Sequence, residues 1–333
     1  MANTKDIERF DVVSDDSDHY FLSAVGPNPY SFTNARSDVH KRIMMEWKIL
    51  ANNNLPESIY VRVYANRIDL LRAVIVGAAG TPYHDGLFFF DIAFPHDYPF
   101  HPPEVHYRSY GFSLNPNLYN NGHVCLSLIN TWVGKSTEKW DPCGSTVLQL
   151  LLSLQALVLN DKPFFNDFWC EMIGRGRGLF EKKSLAYNDT VFALNCKTIL
   201  GLLRHPPRNF QTFVVGHFRN RARAILGACD DYANGRVRVG RYSEDGDGEA
   251  SDRRVRVSEK FRESMRVLYP QLLEIFLRCG AFSQSDAERY LKMERTNVLS
   301  KNMGNVTNRT CRALVRKVIG KIRKLYASKL ISC

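Results

Sequence analysis

A chain of 333 residues, of which 44% are hydrophobic, has the length and apolar content of one large or two ordinary globular domains and not of a disordered chain. No apolar run reaches the ~18 residues that span a bilayer, and the first residues lack the basic-then-apolar pattern of a secretory signal. We therefore expect a soluble intracellular protein without membrane insertion, located in the cytoplasm, the nucleus or both.

The formal net charge of +11 is unevenly distributed, because the first eighteen residues are acidic and the last thirty are basic. A basic segment can bind nucleic acid, an anionic membrane or an acidic protein surface, but it is more often a solvated helix face. Nucleic-acid binding is the least favoured of these uses, since the tail has neither aromatic interleaving nor a known nucleic-acid-binding module.

Eight cysteines are spread along the chain without a Cys-x-x-Cys pair, which favours free thiols in a reducing compartment over a disulfide framework. Several histidines lie in the first half of the chain, but none is paired with a cysteine or an acidic residue at the spacing of metal ligands. We therefore predict no metal site and no cofactor for these histidines, which are His84, His96, His101, His106 and His123.

The first predicted element is a helix that follows a polar segment. Residues 1–36 contain the breaker cluster Gly26-Pro27-Asn28-Pro29, so little packed structure is expected there. Ser37 is a suitable N-cap for a helix that begins near His40. Apolar residues recur in this helix at three- and four-residue steps, as on a buried face: Ile43, Trp47 and Leu50.

Four strand-like segments follow, and they are rich in β-branched and aromatic residues. The connections between them are short, which favours an antiparallel meander because parallel neighbours need a long crossover. The segments are Ile59–Tyr64, Leu70–Val76, Leu87–Phe94 and Val105–Tyr107. From Thr146 to Leu159 nearly all residues are apolar, so we expect a buried helix there, capped by Ser145.

Strand patterns fade after residue 170, and helical patterns replace them. We expect residues 37–169 to form one folded domain and residues 170–233 to form a helical extension of it. The helical patterns cover Asp189–Leu203, residues 209–232 and Glu259–Cys279.

The last part of the chain is predicted to be a linker and a basic helical region. Residues 234–258 are charged, contain glycines and have few large apolar side chains, so we predict a mobile linker. Residues 259–333 end in the segment Thr310–Ile331, which has the pattern of a basic amphipathic helix that packs on the body or docks on a partner. The apolar positions of that segment are Leu314, Val318 and Ile322.

The stretch between the predicted strands and the buried helix carries the chemistry. Tyr98–Pro103 reads Tyr-Pro-Phe-His-Pro-Pro, and Asn115-Pro116-Asn117 follows it. Cys125 lies eight residues after Asn117, and Trp140-Asp141-Pro142 comes next. Taken alone, a cysteine in an apolar run is more often a small core residue than a nucleophile.

The order and spacing of these motifs resemble the catalytic half of ubiquitin-conjugating enzymes. The sequence looks most like the large branch of that family, which includes the BIR-repeat apoptosis-inhibitor conjugating enzyme and the plant phosphate-homeostasis conjugating enzymes. The resemblance covers about residues 10–168. It implies an α+β ubiquitin-conjugating fold: an N-terminal helix, a four-stranded antiparallel meander, an active-site segment and a buried helix, followed here by a helical C-terminal region.

The resemblance implies that Cys125 is the nucleophile and that Asn117 is its catalytic neighbour. The thiolate of Cys125 would carry ubiquitin as a thioester. The Asn117 carboxamide would donate to the tetrahedral intermediate or stiffen the loop that does so. The alternative is that Asn-Pro-Asn simply makes a turn.

Departures from the common family pattern lie close to the predicted nucleophile. Asn115 replaces the usual histidine that orients the loop, and Ser127 stands where many members have an acid. The segment from Cys125 to Trp140 is longer than in compact members. We interpret its extra residues, around 131–136, as a lid that gates the incoming lysine, with Trp132 as anchor. The acid that often follows the buried helix has two candidates, Asp161 and Asp167.

Partner contacts follow from the same resemblance. Ubiquitin, the ubiquitin-activating enzyme of the ATP-dependent pathway, a ubiquitin ligase and a substrate protein are the partners that it implies. Phe100, Pro142 and Cys143 match the two loops that bind ligases, although Phe100 could instead be a core residue. Lys41 and Arg42 match basic helix positions that contact the activating enzyme and ligases.

Two functions follow from this pattern. The first is a ubiquitin-conjugating transferase that accepts ubiquitin on Cys125 and passes it to a lysine of a substrate or a ligase complex. The second is a catalytically inactive scaffold with the same fold that binds ubiquitin or ligases. Inactive variants typically lack the cysteine, so Cys125 with Asn117 at the matching spacing favours the enzyme.

Overall fold

The structure is a computed structural model that describes residues 7–24, 37–174, 176–242 and 255–282. The described residues form two compact units. The first comprises the chain up to Phe213 together with Val239–Arg241, and the second comprises Val214–Arg238 and the chain from Tyr242 onward. Within the described residues, no helix is long and apolar enough to cross a membrane.

The first unit contains a five-stranded sheet in which the strands lie in chain order. Four of them form the predicted antiparallel meander, and an additional strand at the edge pairs with β2 in parallel. The α+β class and the meander are therefore confirmed. The strands are β1 (Phe10–Val13), β2 (Ile59–Tyr64), β3 (Arg67–Val76), β4 (Leu87–Ala93) and β5 (Glu104–Tyr107).

The expectation of little packed structure in the polar N-terminal segment is wrong for residues 7–24, which form β1 and the short helix α1 (Tyr20–Ala24). A carboxylate holds this segment on the sheet. Asp18 lies 2.7 Å from the guanidinium of Arg72 and 2.9 Å from that of Arg108. Arg72 is completely buried and also pairs with Asp91. An acidic side chain of this polar segment thus pairs with two arginines, Arg72, which is fully buried, and Arg108, which is partly buried.

Two helices cover one face of the sheet. The first, α2 (Asp38–Ile49), has the predicted cap, since the Ser37 hydroxyl accepts a hydrogen bond from the backbone N of His40 at 3.1 Å. It continues into a π-helical turn, Leu50–Asn54. Its residues Ile43 and Leu50 are buried in the core as the periodicity predicted, while Trp47 is partly buried against it.

The second of these helices, α3 (Val147–Ser153), is followed by a π-helical turn at Leu154–Val158, and its apolar face is buried as predicted. Its cap is Thr146 and not Ser145. The Thr146 hydroxyl accepts from the backbone N of Gln149, whose side chain accepts in return from Thr146. Ser145 instead accepts from the backbone N of Asp141 at 2.9 Å, which closes the preceding turn.

A buried carboxylate joins α2, α3 and the segment Tyr98–Pro103, which we call the proline turn. Glu46 of α2 accepts a hydrogen bond from the Tyr98 hydroxyl at 2.8 Å and one from the backbone N of Val147 at 2.9 Å. Val147 is the first residue of α3, where a helix has unpaired backbone N–H groups that attract a carboxylate. Burial raises the pKa of Glu46 above its ordinary value.

The remaining elements are helices; the last three of them correspond to the predicted helical patterns, and the first was not predicted. They are α4 (Phe168–Gly174), α5 (Gly178–Arg204), α6 (Gln211–Asn234) and α7 (Glu259–Arg278). In the second unit the core includes Phe218 of α6 and Leu272 and Phe276 of α7. The predicted helix at 310–331 and residues 243–254 of the predicted linker lie outside the described residues, and the predicted domain boundaries stay a prediction.

Candidate active site

A tight β-hairpin brings Asn117 and Cys125 together. Leu118 pairs with Val124 in an antiparallel bridge, and the backbone N of Cys125 donates to the carbonyl of Asn117 at 2.9 Å. The turn of the hairpin uses Gly122 at φ 87°, where a side chain would be strained and would collide with the ring of His106. The eight-residue spacing seen in the sequence therefore corresponds to two residues directly opposite each other.

The carboxamide of Asn117 is hydrogen-bonded to the backbone at the candidate nucleophile. Its Nδ2 donates to the carbonyl of Cys125 at 2.9 Å. Its Oδ1 is buried, and no described group donates to it. This bond ties the Asn117 side chain to the backbone of Cys125, and the catalytic role of Asn117 stays a prediction.

Asn115 connects the hairpin to the rest of the first unit. Its Nδ2 donates to the Tyr83 hydroxyl at 2.7 Å and to the carbonyl of Val158 at 2.6 Å. Its Oδ1 accepts from the backbone N of Asn117 at 2.8 Å and from the Asn166 side chain at 3.2 Å. An asparagine at this position thus holds the loop through both ends of its amide.

Cys125 is 5% exposed, so the candidate nucleophile is largely shielded from solvent. Burial raises the pKa of its thiol above the ordinary value, and a hydrogen bond with the Tyr119 hydroxyl acts in the opposite direction. Since the thiolate attacks, this burial lowers the reactive fraction at neutral pH. Burial of the Cys125 thiol therefore outweighs the effect of the Tyr119 hydroxyl and favours the protonated form.

Tyr119 is a site residue that was missed in the sequence. Its backbone N donates to the carbonyl of His123 at 3.0 Å, so it lies in the same ladder two residues beyond Asn117. Side chains alternate along a strand, which places Tyr119 on the face of Asn117 and diagonal to Cys125. That alternation was readable from the sequence once the hairpin was assumed.

Of the two candidate acids, Asp161 and Asp167, it is Asp167 whose charge acts on the Tyr119 hydroxyl. The pKa of Tyr119 is raised by the charge of the Cys125 thiolate, by burial and by the charge of Asp167. Asp161 contributes a backbone carbonyl to Asn188 instead. The carboxylate of Asp167 therefore acts on the hydroxyl that hydrogen-bonds to Cys125.

The predicted lid at residues 131–136 is attached at its base. The Thr131 hydroxyl accepts from the backbone N of Leu126 at 2.9 Å and donates to the carbonyl of Val124 at 2.7 Å, so it brackets Cys125. Gly134 packs so closely on Ser127 that a Cβ there would collide with the serine side chain. Trp132, the predicted anchor, is half-buried. The hydrogen bonds that attach the base of the lid are made by Thr131.

The two predicted ligase-binding loops lie side by side. Trp140 is buried, and its Nε1 donates to the carbonyl of Pro99 at 2.7 Å, which ties the second loop to the proline turn. Phe100 is 75% exposed, so the alternative that it is a core residue is wrong. Pro142 is half-buried and Cys143 is exposed.

The two basic residues of α2 differ in their surroundings. Lys41 is exposed and lies 3.0 Å from Asp38. Arg42 is largely buried, because its guanidinium donates to the carbonyl of Ser145 at 3.1 Å and lies 3.8 Å from Glu46. Arg42 therefore joins α2 to the turn before α3, and Lys41 presents its charge to solvent.

A cavity of about 780 Å³ opens beside the hairpin, between the proline turn, β5 and the lid. Its walls include His96, His101, His106 and His123. Burial lowers the pKa of His106 to about 4, so this ring is neutral at pH 7. Within the described ranges, no group of three or more His, Cys, Asp or Glu residues is placed to hold a metal ion.

Comparisons with known proteins match the part of the chain that contains this site. The family model described as ubiquitin-conjugating enzyme matches residues 42–187. The chain is 46% identical over 287 residues to the putative ubiquitin-conjugating enzyme E2 39 of Arabidopsis thaliana, covering 85% of this chain and 86% of that protein. It is 53% identical over 228 residues to the probable ubiquitin-conjugating enzyme E2 23 of the same plant, covering 68% of this chain and 20% of that protein.

A more distant match is the human dual E2 ubiquitin-conjugating enzyme/E3 ubiquitin-protein ligase BIRC6, which is 34% identical over 242 residues, covering 68% of this chain and 5% of that protein. The chain spans between 20% and 50% of the length of the Arabidopsis proteins named probable ubiquitin-conjugating enzymes E2 23 to 26.

Proposed function

The chain belongs to the ubiquitin-conjugating enzyme family, and we propose that it is an active transferase that accepts ubiquitin as a thioester on Cys125 and passes it to a lysine. The observation that supports this most is the ladder pair of Cys125 and Asn117, with the carboxamide hydrogen-bonded at 2.9 Å to the backbone of the cysteine. The partners would be ubiquitin, the activating enzyme, a ligase and a substrate protein.

The proposed reaction consists of two acyl transfers. The Cys125 thiolate attacks the C-terminal carbonyl of ubiquitin in its thioester with the activating enzyme. A C–S bond to Cys125 forms, the C–S bond to the activating enzyme breaks, and the thiolate of the activating enzyme leaves. A lysine amine then attacks the carbonyl on Cys125, a C–N bond forms, and the Cys125 thiolate leaves while the amine loses a proton to solvent. Each step exchanges one acyl bond for another, so neither requires a nucleotide on this chain.

Asn117 would act in both steps. In the resting arrangement its Nδ2 donates to the carbonyl of Cys125, which holds the backbone of the cysteine in place. Rotation toward the tetrahedral oxygen would exchange that bond for one to a developing charge, and such bonds are stronger. Loss of one oxyanion donor typically slows turnover about a hundred- to a thousand-fold.

We propose that residues 131–136 form a lid that gates the incoming lysine. The support is the position of Thr131, whose hydroxyl bonds to the backbone on both sides of Cys125. Removal of the lid should therefore change discharge to lysine more than charging by the activating enzyme. Rates of both steps for a variant with Thr131–Ser136 replaced by two glycines measure this, and equal changes in the two rates would contradict gating.

We also propose the surface around Phe100, Pro142 and Cys143 as the contact for ligases, and Lys41 as a contact for the activating enzyme. An exposed phenylalanine on a proline-stiffened turn loses little conformational freedom on binding and gains buried apolar area. The connection of the two loops through Trp140 supports a single surface.

Incubation with activating enzyme, ATP and ubiquitin, followed by a non-reducing gel, tests the proposal. We expect wild type to give an adduct that a thiol reagent removes, and Cys125→Ser to give one that resists it, because serine forms an ester. Cys279→Ser, which changes a half-buried cysteine of the second unit, is the matched control and should behave as wild type.

The inactive scaffold is the second candidate, and the burial of Cys125 is the observation that favours it. At 5% exposure and with a raised pKa, the thiol could simply be a core residue. Wild type that forms no adduct but binds ubiquitin or a ligase would establish the scaffold and overturn the transferase.

A further inference from the structure

Helix α4 presents an apolar surface to solvent. Among its seven residues, Phe168 is 48% exposed, Trp169 63%, Met172 59% and Ile173 44%. These positions are spaced i, i+1, i+4 and i+5, so they share one side of the helix. We call these four side chains the α4 apolar surface. Clusters of large apolar side chains that remain exposed usually mark a binding site for another molecule.

The helix is held firmly despite its exposure. The Asp167 carboxylate caps it, accepting from the backbone N of Trp169 and that of Cys170 at 3.1 Å each. Ahead of it, the Asn166 side chain donates to the carbonyl of Val158 at 3.0 Å and to Asn115 at 3.2 Å. The exposure is therefore a property of a fixed element and not of a loose end.

The same bonds fix the surface relative to the candidate nucleophile. Asn115 accepts from Asn166 with the oxygen that also accepts from Asn117, the residue opposite Cys125. The charge of Asp167, the cap itself, acts on the hydroxyl of Tyr119, which hydrogen-bonds to Cys125. The α4 apolar surface thus begins two residues beyond Asn166, which is hydrogen-bonded through Asn115 to the residue opposite Cys125.

Resting on the proposed function, we propose that the α4 apolar surface binds the acceptor polypeptide and favours lysines that are flanked by large apolar side chains. The Asp167 carboxylate complements the charge of an approaching lysine ammonium, and the apolar surface continues from that point. Seven helical residues span about 10 Å, the length of about three residues of extended peptide. The apolar side chains would lie within a few residues of the acceptor lysine.

Single-turnover discharge of the charged enzyme tests this inference. The acceptors are acetylated and amidated peptides with one lysine, flanked on both sides either by leucine and phenylalanine or by serine and glycine, with free lysine as reference. We expect wild type to discharge about tenfold faster to the apolar peptide at low peptide concentration, a ratio that a small hydrophobic contact provides. The variant Trp169→Ser/Met172→Ser should lose this preference.

Charging and discharge to free lysine should stay unchanged in that variant, since neither uses the surface. The matched control Val267→Ser removes an exposed apolar side chain from α7 and should keep the preference. Thermal unfolding compares the folded state of each variant with that of wild type. Met172→Ser alone provides a milder change at a side chain that is 59% exposed, and it should show a partial loss of the preference.

Four outcomes would overturn the inference. Equal discharge of wild type to both peptides, with normal charging, removes it while leaving the proposed function intact. A slower discharge of the double variant to free lysine would mean that the surface contacts the carried ubiquitin. A wild-type dimer in light scattering that the double variant converts to monomer would assign the surface to a second copy. Failure of wild type to form any thioester overturns the proposed function as well.

Discussion

The state of the Cys125 thiol is set by two opposing effects. Burial raises its pKa, and the hydrogen bond with Tyr119 lowers it, with burial the larger. A thiol with a raised pKa is protonated at neutral pH and reacts slowly until a partner or substrate changes its surroundings. For a carrier of an activated acyl group, such restraint limits side reactions of the free enzyme.

We expect Tyr119→Phe to raise the pKa of Cys125 further, because the variant removes the one lowering contact and keeps the burial. Each unit of increase reduces the thiolate fraction at neutral pH about tenfold. The measurement is the pH dependence of iodoacetamide alkylation, followed by mass spectrometry of the peptide that contains Cys125. Its midpoint should move to higher pH in Tyr119→Phe and stay in place in Tyr20→Phe. An unmoved midpoint in the first variant would contradict the role of the hydroxyl.

The raised pKa of Glu46 has a consequence for stability. A folded-state pKa above the ordinary value of 4.5 means that the native protein binds the proton more tightly than the unfolded chain. This contribution to stability is fully present below the unfolded pKa and is lost as pH rises through the folded pKa. Glu46→Gln keeps an acceptor for Val147 and a polar group for Tyr98.

We therefore expect the free energy of unfolding of Glu46→Gln to vary less with pH than that of wild type between about pH 4 and 7. Glu46→Leu leaves the Val147 N–H and the Tyr98 hydroxyl buried without partners and should cost about 2–4 kcal/mol. Urea unfolding at several pH values, followed by tryptophan fluorescence, measures both effects. Parallel pH profiles for wild type and Glu46→Gln would count against the raised pKa.

Site residues could be predicted where their contacts are close in the sequence, and not where the contacting residues are far apart in the chain. Cys125 and Asn117 lie eight residues apart in one hairpin, so the resemblance to a family motif with that spacing was enough to pair them. Asn166 reaches Asn115 from 51 residues away, and such a contact leaves no periodicity in the chain. The asparagine at 115 could be noticed as a departure, but its four hydrogen-bond partners could not be foreseen.

Among the elements, β1 and α1 show how a polar segment can be part of the fold. The strand β1 is only four residues long and pairs with β2 across some fifty residues. Alternation over so few residues is a weak pattern, and parallel pairing gives no local turn sequence. By contrast, α2, α3 and the meander were predictable because their apolar patterns and short connections are local in the sequence, although the cap of α3 was placed one residue too early.

We expect the attachment of this N-terminal segment to depend on Asp18. Burial acts to raise the pKa of Asp18, but the Arg72 and Arg108 charges and hydrogen bonds hold it below its ordinary value. Its contribution to stability is therefore present above pH 4 and lost at more acidic pH. Asp18→Ala should lower the free energy of unfolding by about 1–3 kcal/mol at pH 7.

The matched control is Asp11→Ala on β1, because Asp11 is half exposed and lies 3.8 Å from Arg62. A pair of this kind should contribute less than about 1 kcal/mol. Denaturant unfolding of both variants makes the comparison. Equal stability of Asp18→Ala and wild type would contradict a fastening role for the Asp18 carboxylate.

Among the described residues, the candidate active site lies in the first unit. That unit holds the sheet, α2, α3 and the hairpin, together with the exposed α4. The sequence predicted this catalytic body from its motifs, whereas the exposed side of α4 could not be foreseen, because an apolar heptapeptide is more often buried. The basic segment after residue 309 lies outside the described residues, so its predicted helix stays a prediction.

The most direct test is the intact mass of the protein after a short reaction with activating enzyme, ATP and ubiquitin, measured in acid without reductant. Because the chain has eight cysteines, the site matters as much as the adduct. We expect wild type to gain the mass of one ubiquitin, lost on treatment with thiol reagent, and Cys125→Ala to gain none. A mass gain that persists in Cys125→Ala, or no gain in wild type, would contradict Cys125 as the carrier of ubiquitin.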